Sequence, residues 1–172
     1  MPQDEIVLDP VDHITVDALG KPGQRVFYIQ AIKGEENISL IIEKFQLQSL
    51  LEGTQEFFDE IYNRFPELES PEADLQTEEM HIQPPVDTIF RAGDMGLAYD
   101  ENRDLTCIFA HEGMLSGESG RVVRFWCTRA QLVAVAQWGR IVLERGRPVC
   151  PQCRQPMESE GHFCPKKNGH KH

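Results

Sequence analysis

Leu40-Ile-Ile-Glu-Lys-Phe-Gln-Leu47 and Phe125-Trp-Cys-Thr-Arg-Ala-Gln-Leu132 are the two stretches whose reading decides the fold. Laid over each other at an offset of 85 residues, each passes from an apolar run through an acid or hydroxyl, a base, an apolar residue, Gln and Leu. The same offset sets Leu50 on Val135 and Phe57 on Val142. A strand that turns into a helix twice in the same wording predicts an internal repeat.

The surroundings of each copy extend the match. Before the first stand three apolar runs, His13 to Leu19, Arg25 to Ile32 and Asn37 to Ile42, parted by Gly20-Lys-Pro-Gly23 and Lys33-Gly-Glu-Glu36. Runs of this length between Gly/Pro turns read as strands. After it, Leu47, Leu50, Leu51, Phe57, Phe58 and Ile61 recur at three-and-four spacing, which predicts an amphipathic helix. The second copy has Phe90 to Tyr99, Leu105 to Ala110 and Arg121 to Cys127 as strands, then a helix over Thr128 to Arg145 with Leu132, Val135, Ala136, Ile141 and Val142 apolar. Thr128 is placed to cap that helix, and Glu43 lies at the positive end of the first. The expected fold is therefore α+β. Two pseudo-symmetric β-β-β-α repeats share an antiparallel or mixed sheet with both helices on one face, related by a pseudo-twofold. Repeat one covers about 10–65 and repeat two about 89–146, within one domain over 1–146. Between them, residues 66–88 hold four prolines and seven acids with no Lys or Arg, and read as a linker or exposed loop enclosing one short strand around Met80 to Ile82.

The 172 residues allow one domain with a core plus an appendage. The net charge of -11 divides unevenly: residues 1–146 carry 12 Lys/Arg against 26 Asp/Glu, and residues 147–172 carry 5 against 2. So acidic a body repels phosphate backbones and makes nucleic acid an unfavoured partner, with a basic tail as the only route to it. The start lacks a signal pattern and no stretch reaches the length of a membrane span, so a cytoplasmic protein with no membrane partner is expected.

The tail carries three of the five cysteines, in Cys150-Pro-Gln-Cys153 and Cys164. Cys-x-x-Cys lets two sulfurs reach one ion, Cys164 supplies a third, and the fourth ligand is His162 or His170. A zinc-ribbon-like tail over 147–172 follows, ordered by metal because so short a segment has no core of its own. A site filled by three thiolates and an imidazole keeps no position for water, so the zinc is structural. Cys107 and Cys127 sit in apolar runs and read as buried, unreactive thiols.

For chemistry elsewhere the sequence offers little. Gly20-Lys-Pro-Gly23 lacks the spacing of a phosphate loop, and no nucleophile elbow or His-Glu-x-x-His occurs. His111-Glu112 and the pair Asp94 and Asp100 read as polar turns before they read as an acid/base pair or a cation site. Lys44 with Gln46 and Arg129 with Gln131, at two helix starts, would flank one cleft and hold an anionic ligand if a twofold brought them together; otherwise each Gln satisfies its own repeat's sheet edge.

Gly20-Lys-Pro-Gly-Gln-Arg25 before an aromatic strand, Glu43-Lys-x-Gln46, Thr128-Arg-x-Gln131, Gly146-Arg-Pro-x-Cys-Pro-x-Cys153 and Gly161-His-x-Cys-Pro-x-x-Asn-Gly169 together resemble the DUF3090 family of bacterial proteins over nearly the whole chain. The resemblance implies repeats but no activity, since none is established for that family. Its gene neighbours, a histidine-phosphatase-like and a lipid-kinase-fold protein, imply phosphate metabolism by association alone. The expected function is a non-enzymatic adaptor or interaction module with a structural zinc site and a protein partner, homodimerisation being open. The alternatives are an enzyme or ligand sensor using the cleft, and nucleic-acid binding through the tail.

Overall fold

The computed structural model describes residues 4–21, 23–73, 75–113 and 120–145. The tail from 146 onward, with Cys150, Cys153, His162, Cys164 and His170, lies outside the described residues.

Seven strands and two helices make up a mixed α+β fold: β1 (Glu5–Leu8), β2 (His13–Leu19), β3 (Val26–Lys33), β4 (Glu36–Ile42), α1 (Lys44–Arg64), β5 (Thr88–Asp100), β6 (Leu105–Glu112), β7 (Val122–Cys127) and α2 (Arg129–Glu144). The sheet runs β1-β7-β6-β5-β4-β3-β2. β2, β3 and β4 form an antiparallel meander, as do β5, β6 and β7. β4 joins β5 in parallel and β7 joins β1 in parallel.

The sheet is rolled. Val11 donates its N–H to Trp126 O in β7, at 2.8 Å, while the next residue, Asp12, donates to Ile32 O in β3, also at 2.8 Å. Neighbouring residues are about 3.8 Å apart at Cα, yet β6, β5 and β4 separate those two strands in the sheet order. Curling until the two edges meet is the geometry that satisfies both bonds.

Both helices pack on the face formed by Val16, Ile29 and Leu40 in one meander and Ile108 and Phe125 in the other, and all belong to one core. α1 contributes Leu47, Leu50, Leu51, Phe58 and Ile61, and α2 contributes Leu132, Val135, Trp138 and Val142. Each fully buried Leu or Val supplies on the order of 2 kcal/mol. α1 lies on β5 and α2 on β2, so each helix covers the other meander's first strand. The helices run antiparallel: Arg129 in α2 reaches Tyr62 near the end of α1, whereas Gly139 faces Leu51 and Leu47. A Cβ at Gly139 would stand 2.9 Å from Leu51 Cδ2, and glycine is what permits this approach.

Two expectations change. β1 is a strand that four residues after an acidic start do not announce. Residues 66–87 contain no strand among the described residues. Instead Thr77–Met80 is a 3-10 turn with Met80 buried, and the chain around it covers the second face of β2–β4. That face is polar and buried: Thr15, Asp17, Gln30 and Ser39 alternate with the core residues. Buried polar groups need partners, and the segment supplies them. Thr15 Oγ1 donates to Met80 O at 2.5 Å, Asp17 accepts from Ile82 N at 2.9 Å, and Gln30 exchanges two 2.8 Å bonds with the Gln83 backbone.

Candidate functional site

Both helix starts are closed by capping boxes. In α1, Glu43 N donates to Gln46 Oε1 at 2.7 Å; in α2, Thr128 N donates to Gln131 Oε1 at 2.8 Å and Thr128 Oγ1 accepts from Gln131 N at 3.0 Å. Free amides of a first turn are satisfied in this way. Each Gln then uses its amide nitrogen on a strand bend. Gln46 Nε2 donates to Ala92 O and Gly93 O, at 3.1 and 2.8 Å, where β5 shifts register. Gln131 Nε2 donates to Asp12 O, at 3.3 Å, in the bend between β1 and β2. These glutamines hold each helix start to the sheet.

Arg129 is equally engaged. Its side chain is 12% exposed, pairs with both Asp104 oxygens (2.8 and 2.9 Å), and donates to Glu69 O at 2.7 Å and Tyr62 Oη at 3.4 Å. The guanidinium therefore joins α2, the β5–β6 turn, the end of α1 and the segment after it. It holds the Asp104 carboxyl below the usual range. Tyr99 Oη donates to the same carboxylate at 2.8 Å, and burial, reinforced by that bond, pushes the phenol up to about 12. Asp104 has φ 50°, a left-handed conformation that Asp and Asn tolerate.

The structure does not bring the four candidate residues into one cleft. Arg129 and Gln131 lie at the end of α1, near Tyr62, while Lys44 and Gln46 lie in its first turn. At 1.5 Å per residue, about 25 Å of helix separates the two pairs. Lys44 is half-buried.

Of the other candidates, His111, Glu112 and Asp94 are strand residues and not the polar turns expected of them, and Asp100 ends β5 at the β5–β6 turn. His111 and Glu112 end β6 as strand residues, adjacent and therefore on opposite faces. Glu112 accepts three bonds from Arg121, which hold its carboxyl below the usual range. Asp100 accepts from Arg103 Nε at 2.8 Å in the β5–β6 turn, and six residues of strand, about 20 Å, part it from Asp94. Cys107 and Cys127 are buried, and burial raises both thiols to about 11. No group of three or more His, Cys, Asp or Glu able to hold a metal occurs among the described residues. Nor is any helix among them long and apolar enough to cross a membrane.

Sequence reasoning missed a groove of about 450 Å³ between α1 and β5. Leu50, Phe57, Met95 and Leu97 line it with Phe45, Glu56, Glu60 and Asp94. Its signal in the sequence is a second stripe on α1, Phe45, Ser49, Gly53, Glu56 and Glu60, turned by roughly 150° from the core stripe at 100° per residue.

A rolled mixed sheet with two antiparallel helices on one face defines a class of small α+β scaffold. Residues 6–164 match the family model described as "Protein of unknown function (DUF3090)", and the chain belongs to that family. No curated protein and no solved structure matches it.

Proposed function

We propose that the chain is a non-enzymatic interaction module of the cytoplasm, a rigid platform of two related β-β-β-α units carrying a structural zinc site. The observation that carries this reading is the engagement of its chemistry-bearing side chains. Gln46, Gln131, Arg129, Asp104, Glu112 and Arg121 each hold one element to another, and an anion would have to displace those bonds. Leaving a buried polar group unpaired costs about 1–3 kcal/mol.

The relation between the units is supported by register. Val16-Ile29-Leu40 align across β2–β4 as Leu97-Ile108-Phe125 align across β5–β7. Gln46 and Gln131 bond corresponding bends, and the antiparallel helices fit a pseudo-twofold between the units.

Zinc is held by Cys150, Cys153, Cys164 and either His162 or His170, on the sequence spacing alone. The tail's 5 Lys/Arg against 2 Asp/Glu over residues 147–172 suit an acidic protein partner. Elemental analysis of full-length protein purified without added zinc tests this: one zinc per chain is expected, and Cys153→Ser loses it while the sheet stays folded. Metal retained in that variant overturns the zinc assignment.

A further inference from the structure

Resting on the interaction-module reading, we propose that the groove between α1 and β5 binds a short cationic amphipathic segment of a partner protein, with an apolar anchor against Phe45 and Phe57 and Lys or Arg side chains reaching Glu56, Glu60 and Asp94.

Three observations converge on this occupant. Phe45 is 63% exposed in the first turn of α1, beside an apolar floor of Leu50, Phe57, Met95 and Leu97. A large aromatic ring kept in water at the mouth of an apolar groove gains by being covered, at about 25 cal/mol per Å². The rim is of one sign. Glu56 and Glu60 on α1 and Asp94 on β5 are exposed and make no ion pair or hydrogen bond among the described residues, unlike Glu112, Asp100 and Asp104. Carboxylates on both walls of a groove make a field complementary to a cation and repel phosphate and anionic lipid.

The third observation is shape. Gly53 lies midway along α1 with nothing within 4 Å of where a Cβ would stand, so the wall is open there. From Phe45 to Glu60 the helix wall measures about 22 Å, the length of an extended segment of about seven residues. A residue pointing into the groove meets the floor and its neighbours point to the acidic rim, so alternating apolar and cationic residues fit it.

The probe is a fluorescein-labelled peptide of about seven residues alternating Lys and Phe, matched to that span. Its binding to the full-length protein is followed by fluorescence anisotropy, with a Glu-for-Lys peptide as control. The expected result is saturable binding of the Lys peptide only, weakening as salt rises. Binding falls about tenfold in Glu56→Lys/Glu60→Lys and at least about fivefold in Phe45→Ser, and is unchanged in Glu35→Lys on the β3–β4 turn. Circular dichroism verifies that each variant is folded, as expected for exposed positions. No saturable binding, or equal weakening by Glu35→Lys, overturns the proposal. So does concentration-dependent self-association that Phe45→Ser abolishes, since the groove's occupant would then be a second copy. Failure here with zinc retained and no anion bound leaves the module reading standing; anion binding at the helix starts refutes that reading instead.

Discussion

Asp104→Asn isolates the junction on which α1, α2 and the β5–β6 turn meet. Asn keeps the shape and tolerates the left-handed φ of 50°, so the turn itself is not perturbed. What changes is charge. The Arg129 guanidinium, 12% exposed, loses its paired carboxylate and keeps only neutral acceptors, Glu69 O, Tyr62 Oη and the single amide oxygen of Asn. Breaking a fully buried pair costs about 3–5 kcal/mol. Asp104 is 45% exposed, so solvent screening already weakens this pair. The expected loss is therefore about 2–3 kcal/mol, or a Tm lower by about 4–12 °C for a chain of this size. Urea unfolding followed by circular dichroism at neutral pH reads it directly.

The pH dependence supplies a second readout of the same substitution. Arg129 lowers the folded-state pKa of Asp104, so the carboxylate contributes stability that is present above its unfolded pKa of about 3.9. That contribution is lost as pH falls through the lower, folded-state pKa. The gap between wild type and Asp104→Asn is therefore full at neutral pH and closes in acid below about pH 4. A loss under about 0.5 kcal/mol at neutral pH, the range of an ordinary surface change, or a gap that does not vary with pH, refutes this account of the junction.

Gln46→Ala and Gln131→Ala each lose a capping box and a tie to a strand bend, and each lowers unfolding free energy by about 1–2 kcal/mol; a loss no larger than at an exposed α1 position such as Gln48 contradicts the anchoring role. Gly96→Ala drives a Cβ into the Phe109 ring in the present packing, so it costs about 1–3 kcal/mol, and the cost shrinks when Phe109 is also changed to Leu. An equal cost in both backgrounds shows that the ring is not the obstacle. Cys107 and Cys127, with thiols raised to about 11, are only about one-thousandth thiolate at pH 8. Peptide mapping after iodoacetamide therefore finds them unmodified until the protein unfolds, and modification of the folded chain contradicts their burial.

Strands and helices that obey a strict period were legible from the residues. His13–Leu19 alternates, Leu47 to Ile61 repeats at helical spacing, and both lie where the pattern sets them. β1 was not legible, because its four residues are held by β7 from the far end of the chain and carry no local signal. Nor were Thr15, Asp17, Gln30 and Ser39, which read as the solvent face of an antiparallel meander until the segment around Met80 covers them. At the helix starts the residue types were informative and their relation in space was not. Spacing in sequence does not say that α2 runs against α1, which is what parts Lys44 and Gln46 from Arg129 and Gln131. Phe45 and Glu56 reveal the groove only once β5 is laid beside them.

If the polar groups at the two helix starts hold the fold and not a ligand, an anion finds no site there. Isothermal titration of the full-length protein with inorganic phosphate, and then with ATP, should give no saturable heat with either. A saturable isotherm that is lost in Lys44→Ala, with stability unchanged, would contradict this and establish an anion site at the start of α1.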